Sequence, residues 1–290
     1  MANNITLFKK YIDLLDEVYK QASLTSVLDS DGALAQQGAN ANEIIIPKIS
    51  MDGLADYSRS GGYTAGDITL TNETVKFNYD RGRKFTVDAM DNEETMGVAF
   101  GKLASEFIRT QVVPELDAFR FATVSGKEGI GVKTGTLANG SAVIEALRES
   151  ISVQDEAEVP MENRYLFITP TLYGMIQDLD TNKSREALNR FAQIIQVPQT
   201  RFYTAVKLND GKTAGEIAGG FEKAADGAEI NFIVISKPAL MQYTKHTVTK
   251  TITPEQNQDS DGYMFFYRSY GLTDVYENKV KGIYLNHKGA

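Results

Sequence analysis

Apolar residues recur at intervals of three and four near the amino terminus, and this period predicts an amphipathic helix over residues 7–22. The apolar side of such a helix needs a partner, either on its own domain or at a distance. Residues 23–42 lose the period and become small and polar, which is typical of an extended arm or linker. We therefore expect residues 1–42 to form an amino-terminal arm.

Two alternating segments follow, at residues 44–56 and 67–79, and Phe85 and Val87 continue the alternation. They predict a hairpin within residues 43–88, with each arm about 40 Å long at ~3.3 Å per residue. The tip, SRSGGYTAGD, holds almost nothing that could fill a core. Because an isolated two-stranded hairpin is marginally stable in water, we expect its support to come from outside the monomer.

A long helical pattern covers residues 91–124 and would span ~50 Å at 1.5 Å per residue. Asp91 and Glu94 have the spacing of a capping box, which places the start of the helix. Pro114 lies inside the pattern and predicts a bend near residues 110–114. The apolar stripe begins with Met96, Phe100, Leu103 and Phe107.

Beyond a glycine-rich connection at residues 125–140, helices and strands alternate. Thr169 and Pro170 have the residue types of an N-cap and a first helical position. The carboxyl-terminal strands are rich in aromatic residues, so we expect them to return and be covered near the long helix. The pattern predicts helices at 141–159, from 170, at 184–191 and from 237, and strands at 165–168, 194–203, 231–235, 262–271 and 274–286. The fold class is α+β.

Composition narrows the choice of function. The 290 residues are 42% hydrophobic and 23% charged, as in an ordinary globular protein. The absence of cysteine removes disulfides and thiolate sites and suits a reducing compartment. A net charge of −8 argues against attraction of the whole molecule to nucleic acid or an anionic bilayer. Without a signal-peptide pattern or an apolar run of membrane-spanning length, we expect a cytoplasmic protein with no membrane partner.

Two glycine-containing stretches are similar to nucleotide-binding loops but lack their full spacing. Gly211, Lys212 and Thr213 would end a phosphate-binding loop, yet Val206 occupies the position that requires glycine. The preceding Asn-Asp-Gly run indicates a turn instead. The glycines of residues 129–135 have neither the dinucleotide spacing nor a predicted strand before them.

The remaining candidates for chemistry have simpler structural explanations. Acidic residues at Asp88, Asp91 and positions 93–94 could hold a hard cation, but acidic groups are also favoured at a helix start. His246 and His287 have no identifiable ligand or triad partner. We therefore predict no catalytic residue, no metal site and no cofactor.

The one compact basic cluster is formed by Arg81, Arg83 and Lys84. It could contact phosphates, but with this net charge we favour ion pairs, either within the chain or across a subunit boundary.

The order and proportions of these elements resemble the bacteriophage major capsid proteins of the Hong Kong 97 type, over nearly the whole chain. None of the segments that carry the resemblance is an active-site motif, so its specificity comes from their combination. The segments are EIIIPKIS, DRGRKFTVDAMDNEE, RTQVVPELDAFRFATV, RYLFITPTLYGMI, NFIVISKPAL and YGLTDVYENKVKGIYLN.

The resemblance implies a Hong Kong 97-like fold whose subunits tile as pentamers and hexamers into an icosahedral shell around the phage double-stranded DNA. It implies inter-subunit contacts at the tip and base of the hairpin, through Arg59, Gly61, Gly62, Tyr63, Arg81, Arg83 and Lys84. The implied domains are an N-arm (1–42), an extended E-loop (43–88), a P-domain with the spine helix (89–139), an A-domain (140–255) and returning P-domain strands (256–290). The implied location is the virion capsid, assembled in the bacterial host cytoplasm.

The implied partners are further copies of the chain, a portal protein and non-specifically packaged DNA. Only about 42 residues precede the hairpin, so a separate scaffold protein is expected instead of a long cleaved scaffolding region. The tip has Arg59 and no lysine lies between Lys48 and Lys76, which argues against the Lys-to-Asn cross-link of some relatives. Two alternatives stay open: an encapsulin-like compartment that packages a cargo enzyme, and an α/β enzyme with an oligomerisation hairpin.

Overall fold

The computed structural model describes residues 23–30, 43–94, 98–179 and 182–289, and no side chain of residues 93–102 is considered. The predicted helix at 7–22 and Met96 of the predicted stripe lie outside this set, and Phe100 lies within it by its backbone alone. The strands are β1 (Glu43–Met51), β2 (Ile68–Lys76), β3 (Tyr79–Asp88), β4 (Gly131–Thr134), β5 (Arg164–Ile168), β6 (Gln193–Gln196), β7 (Val206–Leu208), β8 (Phe221–Lys223), β9 (Ile230–Ser236), β10 (Leu240–Ile252), β11 (Gly262–Val275) and β12 (Ile283–His287). The α-helices are α1 (Ala89–Glu94), α2 (Val98–Phe107), α3 (Val113–Ser125), α4 (Gly140–Glu156), α5 (Pro170–Gln177) and α6 (Asn182–Leu188).

A five-stranded mixed sheet, in the order β4-β12-β9-β5-β6, forms the centre of the α/β part. Its middle strand β9 has the sequence INFIVIS and is buried at every position, as expected for a strand that is covered on both faces. Helices α4, α5 and α6 cover one face through Val143, Leu147 and other apolar residues. The end of α3, with Phe121 and Val124, covers the other face.

The long strands β10 and β11 form an antiparallel three-stranded sheet with β3. One side of this sheet packs on the helices that precede and include α3, where Ile108 and Val113 meet Phe265 and Tyr267 of β11. The aromatic carboxyl-terminal strand β11 is therefore covered by the long helix, as predicted. Strand β12 instead enters the five-stranded sheet beside β9, because the chain turns away from the helix after Val275.

The long helix is a series of segments. A π-helical turn at Ile108–Val112 separates α2 from α3, and Pro114 lies in the first turn of α3. This irregularity falls where a bend was predicted, since proline cannot complete the hydrogen bonding of a continuous helix. The predicted start was wrong: α1 begins at Ala89, and Asp88 caps it by accepting a hydrogen bond from the Met90 N–H at 2.9 Å.

Strands β1 and β2 form an antiparallel ladder of their own, from the pair Glu43 and Lys76 to the pair Met51 and Ile68. Nine residues per strand give an arm of about 30 Å, shorter than predicted because residues 52–56 do not continue the ladder. The chain changes sheets at Asn78, whose side-chain amide exchanges hydrogen bonds with the backbone of Thr273 at 2.8 and 3.1 Å.

Several sequence predictions need correction. The predicted strand at 274–286 is interrupted by a 3-10 helix at Glu277–Gly282, which separates β11 from β12. Residues 23–30, expected to be a loose linker, pack against the body, and Leu28 is buried in the main core. The glycine-rich connection contains strand β4, which pairs in parallel with β12. The predicted strand at 194–203 ends at Gln196, while the strand β10 after the short turn at Lys237–Ala239 was not predicted.

We expect Phe121→Ala to lower the free energy of unfolding by about 3–5 kcal/mol, because it empties the centre of the main core. Phe121 is 1% exposed and makes edge-to-face contacts with Phe167 and Phe202 at centroid distances of 5.2 and 4.9 Å. Urea denaturation followed by circular dichroism gives the change. Val132→Ala, at a side chain that is 53% exposed, is the control and should lower the free energy of unfolding by less than about 0.5 kcal/mol. Equal losses in the two variants would contradict the placement of Phe121 at the centre of the main core.

Candidate functional site

The hairpin formed by β1 and β2 is fixed to the body at its root. Ile44 and Val75 are buried against Met241, Tyr243 and Leu272 of the three-stranded sheet. These two hairpin residues are directly opposite each other in the ladder and therefore share one face of the ribbon. We call this the inner face.

An ion-pair cluster marks the outer limit of this contact. The Lys48 ammonium lies 3.0 Å from a Glu73 carboxylate oxygen and forms an ion pair with Glu277. The hydrogen bond to Glu277 raises the pKa of Lys48, and the same bond lowers the pKa of Glu277. Beyond Lys48 the ribbon extends away from its supporting surface.

Four large apolar side chains lie on the opposite face of the outer half of the ribbon. Ile49 pairs with Leu70 and Met51 pairs with Ile68, so all four project from one face. They are 58%, 68%, 65% and 71% exposed, respectively. We call this group the outer apolar face. Since it points away from the face that packs at the root, none of the described residues of the body covers it.

The tip closes on itself. The backbones of Ser58 and Gly62 exchange hydrogen bonds at 2.7 and 3.2 Å, and Gly62 has a φ of 77°, which favours glycine. The rings of Tyr57 and Tyr63 contact each other beside this turn in a tilted arrangement, at a centroid distance of 4.9 Å, and Tyr63 is 91% exposed. The turn brings the predicted tip residues Arg59, Gly61, Gly62 and Tyr63 together at one exposed end.

The predicted base residues lie on β3, in the three-stranded sheet, and not on the ladder. The Arg81 guanidinium forms an ion pair at 2.7 Å with Glu115 of α3. Of the two kinds of ion pair expected for the basic cluster, Arg81 therefore forms the one within the chain. Arg83 donates a hydrogen bond to the Ile217 carbonyl at 3.0 Å, and the Lys84 ammonium lies 5.7 Å from the ring centre of Phe266.

A cleft of about 650 Å³ opens beside these arginines. The loop 209–220, between β7 and β8, closes one side of it, and Phe85, Phe107 and Tyr267 contribute aromatic surface. This arrangement was not predicted, because nothing in the sequence of the glycine-rich loop indicates that the loop would fold back onto β3.

The Asn-Asp-Gly run is a turn, as predicted. Asp210 accepts hydrogen bonds from the N–H groups of Lys212 and Thr213 at 2.7 and 2.8 Å, and from the Thr213 hydroxyl at 2.7 Å. The carboxylate therefore occupies the N–H groups that a phosphate would need. The hydroxyl of Thr213, followed by its N–H group and that of Lys212, lowers the pKa of Asp210 to about 2.

Two of the other candidates have local partners. Asp88 caps α1, and His287 shares a hydrogen bond of 3.3 Å with Thr134 across the β4-β12 pair. Within the described part of the chain, no group of three or more histidine, aspartate or glutamate side chains is placed to hold a metal ion. A search of the helices in the same residues for one long and apolar enough to cross a membrane found none.

Comparison with solved structures identifies the fold. The chain is similar to a virus-like particle from Pyrococcus furiosus (TM-score 0.63, 12% identity), with 97% of this chain and 99% of that chain covered. It is also similar to Gordonia phage Cozz (TM-score 0.61, 12% identity, 92% and 87% covered) and to the capsid of Cyanophage P-SCSP1u (TM-score 0.58, 13% identity, 90% and 86% covered).

These similarities confirm, at the level of the fold, the resemblance to capsid proteins of the Hong Kong 97 type. The chain has an α+β fold shared with phage capsid structures. No protein-family model matches the chain, and no curated protein sequence is similar to it.

The Asp210 turn makes a testable prediction. In Thr213→Ala the first cause of the depressed pKa is lost, so the pKa of Asp210 should rise from about 2 toward the ordinary 3.8. Because the pKa is lower in the folded state than in the unfolded chain, Asp210 stabilises the fold above about pH 4, and this contribution disappears as the pH falls toward 2. Carbon-detected NMR titration measures the shift. Thr64→Ala, at an exposed threonine of the hairpin tip, should leave the titration of Asp210 unchanged; no difference between the two variants would argue against the turn.

Proposed function

We propose that this chain is a major capsid protein that assembles, as pentamers and hexamers, into an icosahedral shell around phage double-stranded DNA. The observation that carries this proposal is the outer apolar face of the hairpin, where Ile49, Met51, Ile68 and Leu70 are each more than half exposed. A contiguous apolar group of this kind on a protruding ribbon marks a protein–protein contact. The proposed role is structural and not catalytic.

The fold supports the same conclusion. A capsid structure and a virus-like particle both align with this chain over most of their lengths. A contact between the hairpin of one copy and a different surface of the next copy is heterologous. Heterologous contacts generate closed rings when the rotation between copies closes. A shell of pentamers and hexamers requires such rings, and a protruding arm supplies the contact.

We assign the parts of the chain to this shell as follows. We shorten the E-loop that lies on a neighbour from the expected 43–88 to residues 43–78, because β3 pairs with β11; the exposed tip residues Arg59, Gly61, Gly62 and Tyr63 are at its end. The long helix and the three-stranded sheet are assigned to the P-domain, which takes β10 from the expected A-domain range of 140–255 because β10 also pairs with β11. The five-stranded sheet with its helices is assigned to the A-domain around the local axes. Residues 1–42 are the N-arm.

Arg83 and Lys84, at the base of the E-loop, are proposed to contact the neighbouring subunit. Arg81 is included in this contact only because it lies close to Arg83 and Lys84 in the sequence. Its own guanidinium is bound by Glu115 of the same chain. The further proposed partners are a separate scaffold protein, a portal protein and the packaged DNA. The proposed location is the virion, after assembly in the cytoplasm of the bacterial host.

A second candidate is an encapsulin-like compartment that packages a cargo protein. The observation that supports this candidate is the similarity to the Pyrococcus furiosus virus-like particle, which covers 97% of this chain and 99% of that chain. Purified particles decide between the two candidates: nuclease-resistant DNA of defined length supports the capsid, whereas a single co-purifying protein supports the compartment.

Deletion of residues 56–67 tests the role of the tip. Four residues, 52–55, would then join Met51 to Ile68, and this is a common length for a hairpin loop. We expect a folded subunit that assembles poorly, measured by sedimentation velocity and electron microscopy. Closed shells of normal yield and size would overturn the proposed contact.

A paired substitution separates the outer apolar face from the tip. Ile49→Thr with Leu70→Thr removes one exposed cross-strand pair, and we expect the concentration needed for assembly to rise at least about tenfold. The matched control, Ser50→Ala with Thr69→Ala, changes the neighbouring pair on the inner face. Thermal unfolding of the subunits should be nearly unchanged in both variants. Equal assembly of both variants would contradict the proposal.

A further inference from the structure

Residues 23–30 lie along the boundary between the two sheets, and we call them the strap. The strap contains a short 3-10 turn at Ser26–Leu28 and joins none of the described strand ladders. Leu28 is 1% exposed and belongs to the main core, together with Phe121 and Phe202. The strap is therefore held mainly by side chains.

Asp117 of α3 is the centre of this attachment. Its carboxylate is fully buried and accepts hydrogen bonds from the Ser23 hydroxyl at 3.0 Å, from the Leu24 N–H at 3.1 Å, and from the N–H and hydroxyl of Thr25 at 3.3 and 2.7 Å. Arg201 donates a further hydrogen bond at 3.3 Å. A buried carboxylate is costly without partners, and here the strap supplies four of the five donors.

The other side of the strap is bound to β10. The Gln242 amide donates to the Thr25 carbonyl at 2.8 Å and to the Asp29 carboxylate at 2.7 Å, and the Ser30 N–H donates to the Gln242 carbonyl at 3.0 Å. Arg120, one turn after Asp117 on α3, donates to the Thr25 hydroxyl at 2.8 Å and to Asp29 at 3.2 Å.

The strap thus contacts three parts of the fold. Its hydrogen bonds reach the long helix at Asp117 and Arg120 and the three-stranded sheet at Gln242, while Leu28 packs in the core against the five-stranded sheet. Arg201, which follows β6 of that sheet, binds the same Asp117 carboxylate. Because these contacts involve both sheets and the helix between them, seating of the strap restricts how the two sheets can shift relative to each other.

We propose that the strap is a releasable latch, and that its binding to Asp117 fixes the arrangement of the two sheets in the subunit. Release is local: it breaks side-chain hydrogen bonds and uncovers Leu28, but it leaves the strand ladders intact. Resting on the shell function proposed above, we infer that the seated strap selects the subunit shape that assembles into shells of one size.

The test compares Asp117→Asn with Asp155→Asn in the full-length chain. Asp155 pairs with Arg164 and Arg190 in the α/β part, so its loss does not touch the strap. Hydrogen exchange should be at least about tenfold faster at residues 23–30 in Asp117→Asn, because the asparagine cannot accept from the same donors with both of its terminal atoms. Exchange at residues 230–236 of β9 should change less than about twofold.

Unchanged exchange at residues 23–30 would overturn the latch, and equal acceleration in β9 would reduce Asp117 to a general stabilising residue. If Asp117→Asn does not fold, Arg201→Met removes a single donor and should accelerate exchange in the strap by a smaller factor. The assembly role is tested by particle size: Asp117→Asn should give a broader distribution than Asp155→Asn. Identical distributions with faster exchange would overturn that role alone. If the unsubstituted chain forms no particles, the shell function fails while the exchange test of the latch stands.

Discussion

A two-stranded ribbon has two faces, and its own domain can cover only the one that is turned toward it. In this chain the inner face, with Ile44 and Val75, is covered at the root by the three-stranded sheet, and the ion pairs of Lys48 mark where that support ends. Farther out, the apolar side chains change to the opposite face. This change of face is the constraint behind the proposed function, because the described part of the chain leaves this apolar surface exposed to water, and a contact with another molecule would bury it.

The long helix supplies the second constraint, since its last segment carries buried charges toward opposite sides. Glu115 binds Arg81 of β3, while Asp117, two residues later, binds the strap and Arg201. Residues two apart on a helix point in different directions, so one segment can bind the base of the hairpin on one side and the junction of the sheets on the other. Each carboxylate is stabilised only if its partners stay in place, and this makes the mutual positions of the sheets and the helix specific.

The sequence predicted the elements whose patterns are local. The helix near 141–159, the strand near 231–235 and the irregularity near Pro114 follow from periodicity and from the chemistry of proline. Strand β10 was missed because its second part, from Thr244, is mostly threonine and lysine without an apolar alternation, and it is recognisable as a strand only beside β11. Strand β4 was missed because Gly131 is typical of loops; here a Cβ would lie 2.8 Å from the ring of Tyr284, so glycine permits the close approach of β12.

The candidate site, too, was only partly predictable from local sequence patterns. Alternation along the chain identified the hairpin, but the pattern alone does not say which face is supported, because that depends on the register of β1 with β2 and on the position of the three-stranded sheet. The sequence directed attention to the tip, where Gly61 and Gly62 are conspicuous, and the structure shows that the tip satisfies its own hydrogen bonds through Ser58. The larger surface that remains exposed to water is the apolar surface of Ile49 and Leu70, one ladder position beyond Lys48. The tip therefore sets where the arm ends, while in the proposed contact with a neighbouring subunit we expect most of the energy to come from the ladder.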